Sequence, residues 1–131
     1  MKPFEIEKTV RDKLGEMYGT RFRKGKLIVG ERSKGEPQIH EFDLISENRF
    51  IIGEIKSGRC STTNFSLALA DCFYLSRVKA KVKLMVFTDK ELYDNFRDRS
   101  RGLISSEVQT ILINITENLK EFPNPNLSSN H

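Results

Sequence analysis

The chain contains no tryptophan and only two cysteines, Cys60 and Cys72, in 131 residues. Two cysteines cannot staple a small disulfide framework, and without a CxxC or Cys/His cluster nothing points to a structural zinc site. Both read as free thiols, which fits a reducing cytoplasm. Long apolar runs are missing too. Phe50 to Ile52 and Leu84 to Phe87 are among the longest, far short of the roughly 20 residues a membrane helix needs. The opening Met1-Lys2-Pro3-Phe4-Glu5 has no apolar signal-peptide core. A cytoplasmic location is therefore expected. A strong excess of one charge is also absent. Lys and Arg number 22 and Asp and Glu 18, a formal charge of +4. This excludes an acidic solvating chain and makes an anionic partner worth testing.

A chain of this length, with 37% hydrophobic and 31% charged residues, supports one modest core. The basic excess is uneven. Residues 1–34 hold ten Lys or Arg against five Asp or Glu, or +5, so the rest carries about −1. A single domain over 1–118 is expected. The tail 119–131, with EFPNPNLSSNH at its end, has the composition of a frayed terminus.

Apolar spacing predicts a helix over 4–19, through Phe4, Ile6, Val10, Leu14 and Met17 or Tyr18, with Gly19 as its stop. Strands are expected over 26–31, 38–46 and 49–57, the last two joined by a turn at Ser46-Glu47-Asn48. A helix over 64–78 reads as apolar nearly all round and so buried, with N-cap candidates among Ser61 to Thr63. Its Leu67, Leu69, Cys72, Phe73 and Leu75 are assigned to the core. Lys83 to Thr88 follows as a strand. Thr88-Asp89-Lys90-Glu91 is a capping-box pattern opening a helix toward Arg99. Alternating Ile111, Ile113 and Ile115 favour a last strand over 109–116. The order is that of an α/β domain.

The informative stretch is Ile39-His40-Glu41-Phe42-Asp43-Leu44-Ile45, then Phe50-Ile51-Ile52-Gly53-Glu54-Ile55-Lys56. Strand alternation puts Phe50, Ile52, Glu54 and Lys56 on one face, and Ile39, Glu41, Asp43 and Ile45 on one face of their own strand. His40 falls on the opposite face from Asp43 and reads as a surface or packing histidine. A hairpin would bring Asp43 beside Glu54 and Lys56. Two carboxylates offer hard oxygen ligands to Mg²⁺, and a lysine beside them can orient a water or stabilise developing negative charge.

Asp43 followed, after ten intervening positions, by Glu54-Ile55-Lys56 resembles the PD-(D/E)XK nuclease superfamily, which includes restriction endonucleases and archaeal Holliday junction resolvases. The resemblance covers roughly residues 4–88, because the order of elements there also matches that family's core. Phe42 stands where the motif has Pro, and Glu41-Phe42-Asp43 looks like the Glu-apolar-Asp variant of resolvase-like members. The resemblance implies a restriction endonuclease-like core with a mixed central sheet flanked by helices. It further implies Mg²⁺-dependent cleavage of DNA, with Mn²⁺ as substitute. Branched DNA is the narrower substrate expectation, and a homodimer the assembly. Asp43 and Glu54 would hold the metal and Lys56 would assist the water. A carboxylate on the first helix would complete the site, Glu7 in first place and Glu16 in second.

Blander readings exist for each group. A Glu-x-Lys on a strand is commonly a cross-strand ion pair, and Glu7 on a helix commonly pairs with Arg11. Ser57 and Asn64 follow the motif, where a phosphate contact is one reading, yet such residues are more often a loop residue and a helix cap. Arg21, Arg23, Lys24 and Lys26 crowd the turn after the first helix and form the expected DNA-backbone contact. Lys79, Lys81 and Lys83, and Arg97, Arg99 and Arg101, form two further clusters, as solvated faces usually do. Cys60 reads as a surface thiol. A non-enzymatic rival uses the same fold as a nucleic-acid-binding or assembly module without catalysis. A third reading is an α/β domain whose motif is coincidence, with Asp43 paired apart from Glu54 and Lys56.

Overall fold

A computed structural model describes residues 1–115. The end of the expected domain at 118 and the expected tail 119–131 lie outside the described residues. Eight elements follow in the order α1 (Pro3–Tyr18), β1 (Phe22–Glu31), β2 (Pro37–Ser46), β3 (Ile51–Lys56), α2 (Thr62–Ser76), β4 (Val82–Phe87), α3 (Lys90–Arg99) and β5 (Val108–Leu112). The strands form one sheet in sequence order. β1, β2 and β3 are antiparallel neighbours, while β4 and β5 join in parallel after crossovers through α2 and α3. The result is an α/β molecule with a five-stranded mixed sheet flanked by helices. No helix among the described residues is long and apolar enough to cross a membrane.

Two cores lie on the two faces of the sheet. Phe65, Ala68, Cys72 and Leu75 of α2 and Leu92 and Phe96 of α3 pack with Phe42, Ile45, Ile52, Met85 and Phe87. Val10 and Leu14 of α1 pack with Leu44, Ile51, Ile55, Leu84 and Val86 on the other side. These two are the only buried residues of α1. At about 1.5–3 kcal/mol each, they anchor α1 more lightly than Phe65, Ala68, Cys72 and Leu75 anchor α2.

Local chemistry sets the element ends. α1 opens with Pro3 in its first turn and Glu5 accepting from the Lys2 backbone N–H at 3.1 Å, and closes on Gly19 at φ +66°. Ser61 caps α2 by accepting from Asn64 N–H at 3.0 Å. The cap of α3 is Asp89, which accepts from Leu92 N–H at 2.9 Å, one residue later than the Thr88 pattern implies. In the β2–β3 turn Asn48 Oδ1 accepts from both Ser46 Oγ and Phe50 N–H, and Ser46 Oγ takes Ile51 N–H. That turn chemistry matches the Ser-Glu-Asn reading.

Four expectations need correction. β1 begins at Phe22, so Arg23, Lys24 and Lys26 lie on a strand rather than in the turn after α1. Pairing with β2 runs to Phe22↔Ser46, and Phe22 packs against the α1-side core, which extends the strand. α2 is not buried all round. Leu67 and Phe73 are exposed, because its core face runs through Phe65, Ala68, Cys72 and Leu75 at helical spacing. β5 ends at Leu112, although Ile111, Ile113 and Ile115 do share the α1-side core. Cys60 is partly buried against the α2-side core rather than a surface thiol.

Gly53 shows how tightly the strand carrying the motif is held. A Cβ there would meet the Leu84 carbonyl oxygen at 2.5 Å and Leu84 Cβ at 3.0 Å, in the parallel ladder where Gly53 faces Leu84. Backbone cannot yield as a side chain can. Gly53→Ala is therefore expected to destabilise the fold by about 1–3 kcal/mol, read as a lowered denaturation midpoint in urea; an unchanged midpoint would mean that β3 and β4 are not so closely seated.

Candidate active site

The site forms where β2 and β3 part. Their ladder contains Leu44↔Gly53 and Ile45↔Ile52 and ends there. Beyond it, side chains replace ladder bonds. Asp43 Oδ2 accepts from Ile55 N–H at 2.9 Å, and Asp43 N–H donates to Glu54 Oε1 at 3.2 Å. The cause lies in β2. Its pairing with β1 slips between Arg23↔Ile45 and Gly25↔Phe42, so three β2 steps match two on β1. Such a bulge interrupts the two-residue alternation. Phe42 and Ile45 consequently lie in the same core, and the expected shared face of Ile39, Glu41, Asp43 and Ile45 does not exist.

The slip reassigns His40. Its Nε2 lies 2.7 Å from Glu54 Oε2, and its ring stacks on Tyr74 at 4.1 Å and 13°. It is therefore a neighbour of Glu54, neither a free surface group nor mere packing. Lys56 pairs with Asp71 of α2. Asp71 and His40 are the site residues that sequence reasoning missed. The signal for Asp71 was present, since it is the one charged residue in the apolar run of α2. His40 had no such signal, because regular alternation pointed it away.

Glu7 is the α1 carboxylate that acts electrostatically on Asp43; Glu16 is not among its neighbours of consequence. Glu7 also sits 3.9 Å from Arg11 and 3.4 Å from Lys24, so its bland pairing is present as well. Arg11 donates to the Asp43 carbonyl at 3.3 Å. Arg11 and Lys24 thus form a basic rim on the α1 side, and Lys24 alone of the expected first cluster is seen to share this neighbourhood. Members of the other two clusters are engaged elsewhere. Lys83 is buried with Glu107 at 3.2 Å, Lys81 lies over Phe50, and Arg99 lies over Phe65. Ser57 and Asn64 line a cleft of about 160 Å³ beside Lys56, with the Asn64 amide donating to the Arg59 carbonyl.

Burial dominates the electrostatics. Glu54 is only 2% exposed. Desolvation first, then the negative charges of Asp71 and Asp43, push its pKa up to about 9. Desolvation and Glu7 raise Asp43, opposed by the Ile55 N–H and by Lys56. Desolvation lowers His40 below its ordinary value, despite nearby carboxylates. Burial pushes the Cys72 thiol up to about 12, which leaves it unreactive. Among the described residues, one group of three metal-ligating side chains has its ligand atoms all within 4.8 Å, namely His40, Glu54 and Asp71. Asp43, Glu54 and Glu7 do not form such a group.

No protein-family model, no curated protein and no solved structure matches this chain.

The raised Glu54 pKa carries a stability consequence. A carboxyl that holds its proton more tightly when folded stabilises the fold fully below its ordinary range near 4.5, and loses that contribution as pH rises through about 9. Glutamine mimics the protonated form. Glu54→Gln is expected to be more stable than the metal-free wild type at pH 8 by roughly 2–4 kcal/mol, with the gap closing toward pH 5 in thermal melts. Parallel pH profiles for the two proteins would refute the assignment.

Proposed function

We propose that the chain is a divalent-metal-dependent nuclease with a restriction endonuclease-like core, which hydrolyses DNA phosphodiester bonds. The observation that carries this reading is the joining of Asp43 and Glu54 at the parting of β2 and β3, with Lys56 two residues on along the same strand. The element order and the electrostatic reach of Glu7 to Asp43 support it further.

The donor set fits a hard cation. Asp43 and Glu54 present carboxylate oxygens, and both are driven toward the protonated form where they stand. The cations nearest them are engaged, Lys56 by Asp71 and Lys24 by Glu7. A divalent ion such as Mg²⁺ or Mn²⁺, held by Asp43 and Glu54, answers that deficit of positive charge. When bound, it supplies Lewis acidity toward a phosphoryl oxygen and a lowered pKa for its water.

The remaining work falls to the chain's own residues. Lys56 places an ammonium beside the carboxylates, where it can orient the attacking water and stabilise charge building on phosphate. Asp71 pairs with that ammonium. Arg11 and Lys24 flank Asp43 and offer backbone contacts without sequence choice. Glu7 tunes Asp43 through its charge rather than by completing a ligand set. Branched DNA and a homodimer remain the narrower proposal, resting on the resolvase-like motif alone. A second reading, a non-catalytic DNA-binding module, is favoured by one observation, the engagement of Glu7 by Arg11 and Lys24.

Incubating the full chain with supercoiled plasmid and with a four-way junction in Mg²⁺ or Mn²⁺ separates the two. Cleavage is expected, with Lys56→Ala slower by about 10²–10³-fold and Asp43→Ala inactive. Equal cleavage by wild type and Asp43→Ala would sink the nuclease reading. Retained DNA binding with no wild-type cleavage would establish the binding module instead.

A further inference from the structure

The residues on the far side of Glu54 make a different donor set from the one used above. His40 stands on β2, Glu54 on β3 and Asp71 on α2, so three packed elements fix it. Tyr74, also on α2, stacks on the imidazole and sets its plane. Glu54 is divided between two sets, with Oε1 turned to the Asp43 amide and Oε2 to His40. The Lys56 ammonium engages Oδ2 of Asp71 at the edge of the cluster, so positive charge is already drawn there.

We propose that His40, Glu54 and Asp71 form a binding site for a borderline first-row divalent cation of the Zn²⁺ or Co²⁺ class. Mg²⁺ demands oxygen ligands, whereas one imidazole nitrogen with two carboxylates suits these softer ions. The three donor atoms lie within 4.8 Å of one another. Donors around a single Zn²⁺, with bonds near 2.1 Å, stand about 3.3 Å apart, so side-chain adjustments of roughly 1–1.5 Å close the set. Binding would exchange the proton of the His40–Glu54 contact for the metal. It would also set the ion in competition with Lys56 for Asp71. The site therefore goes beyond the nuclease reading and stands whether or not the chain cleaves DNA. If it does cleave, occupancy here would release Lys56 toward the phosphate.

The chain has only two histidines, His40 and His131, which gives the test its own control. Zn²⁺ is titrated into the full chain while imidazole ¹⁵N resonances are followed by NMR, with affinity measured by calorimetry. One equivalent is expected to shift the His40 ring nitrogens and leave those of His131 in place. Asp71→Asn, nearly isosteric, is expected to weaken Zn²⁺ binding at least about tenfold, and more than Asp43→Asn, which reaches the site only through its neighbour Glu54. A His40 ring that does not move, equal shifts at His131, or unchanged affinity in Asp71→Asn would each overturn the proposal. Loss of binding in Asp43→Asn with no effect of Asp71→Asn would overturn it too, and would leave the Asp43–Glu54 metal reading standing.

Discussion

Where β2 and β3 separate, Asp43 and Glu54 take over from the backbone ladder. The Asp43 carboxylate receives the Ile55 N–H and the Asp43 N–H is received by Glu54. A buried strand end must satisfy its amides, and here two side chains do so in place of a partner strand. The same bonds that close the sheet thereby fix the carboxylates. Gly53, pressed against the Leu84 carbonyl, fixes the depth of the strand that carries Glu54 and Lys56. The geometry of the site is thus a consequence of how the sheet ends.

That solution concentrates negative charge in a poorly solvated place. Asp71 and Asp43 act on Glu54, and burial disfavours the ionised forms of Glu54 and Asp43. Burial pushes the Glu54 pKa up to about 9 and lowers that of His40, while Lys56 pairs with Asp71. The clustering of perturbed carboxylates beside a lysine is what sets this end of the sheet apart from ordinary surface ion pairs such as Lys8–Asp12.

The two sides of the site differ in anchorage. Asp71 and Tyr74 stand on α2, whose core face is made of Phe65, Ala68, Cys72 and Leu75. Glu7 and Arg11 stand on α1, held by Val10 and Leu14. Asp71 and Tyr74 therefore sit on the firmer support, while Glu7 and Arg11 sit on the lighter one.

The element order, the Ser46-Glu47-Asn48 turn, the α2 cap and the company of Asp43, Glu54 and Lys56 were all determined by local sequence. Each depends on spacing within one element or on short-range turn and cap chemistry, which residue order expresses directly. The bulge in β2, the half-exposed face of α2 and the meeting of His40 and Asp71 with Glu54 were decided only by the tertiary structure. A register slip arises from two strands fitting each other, and no single strand records it. His40 reached the site because that slip altered the alternation of β2, and Asp71 because α2 laid one face against the strand that holds Lys56.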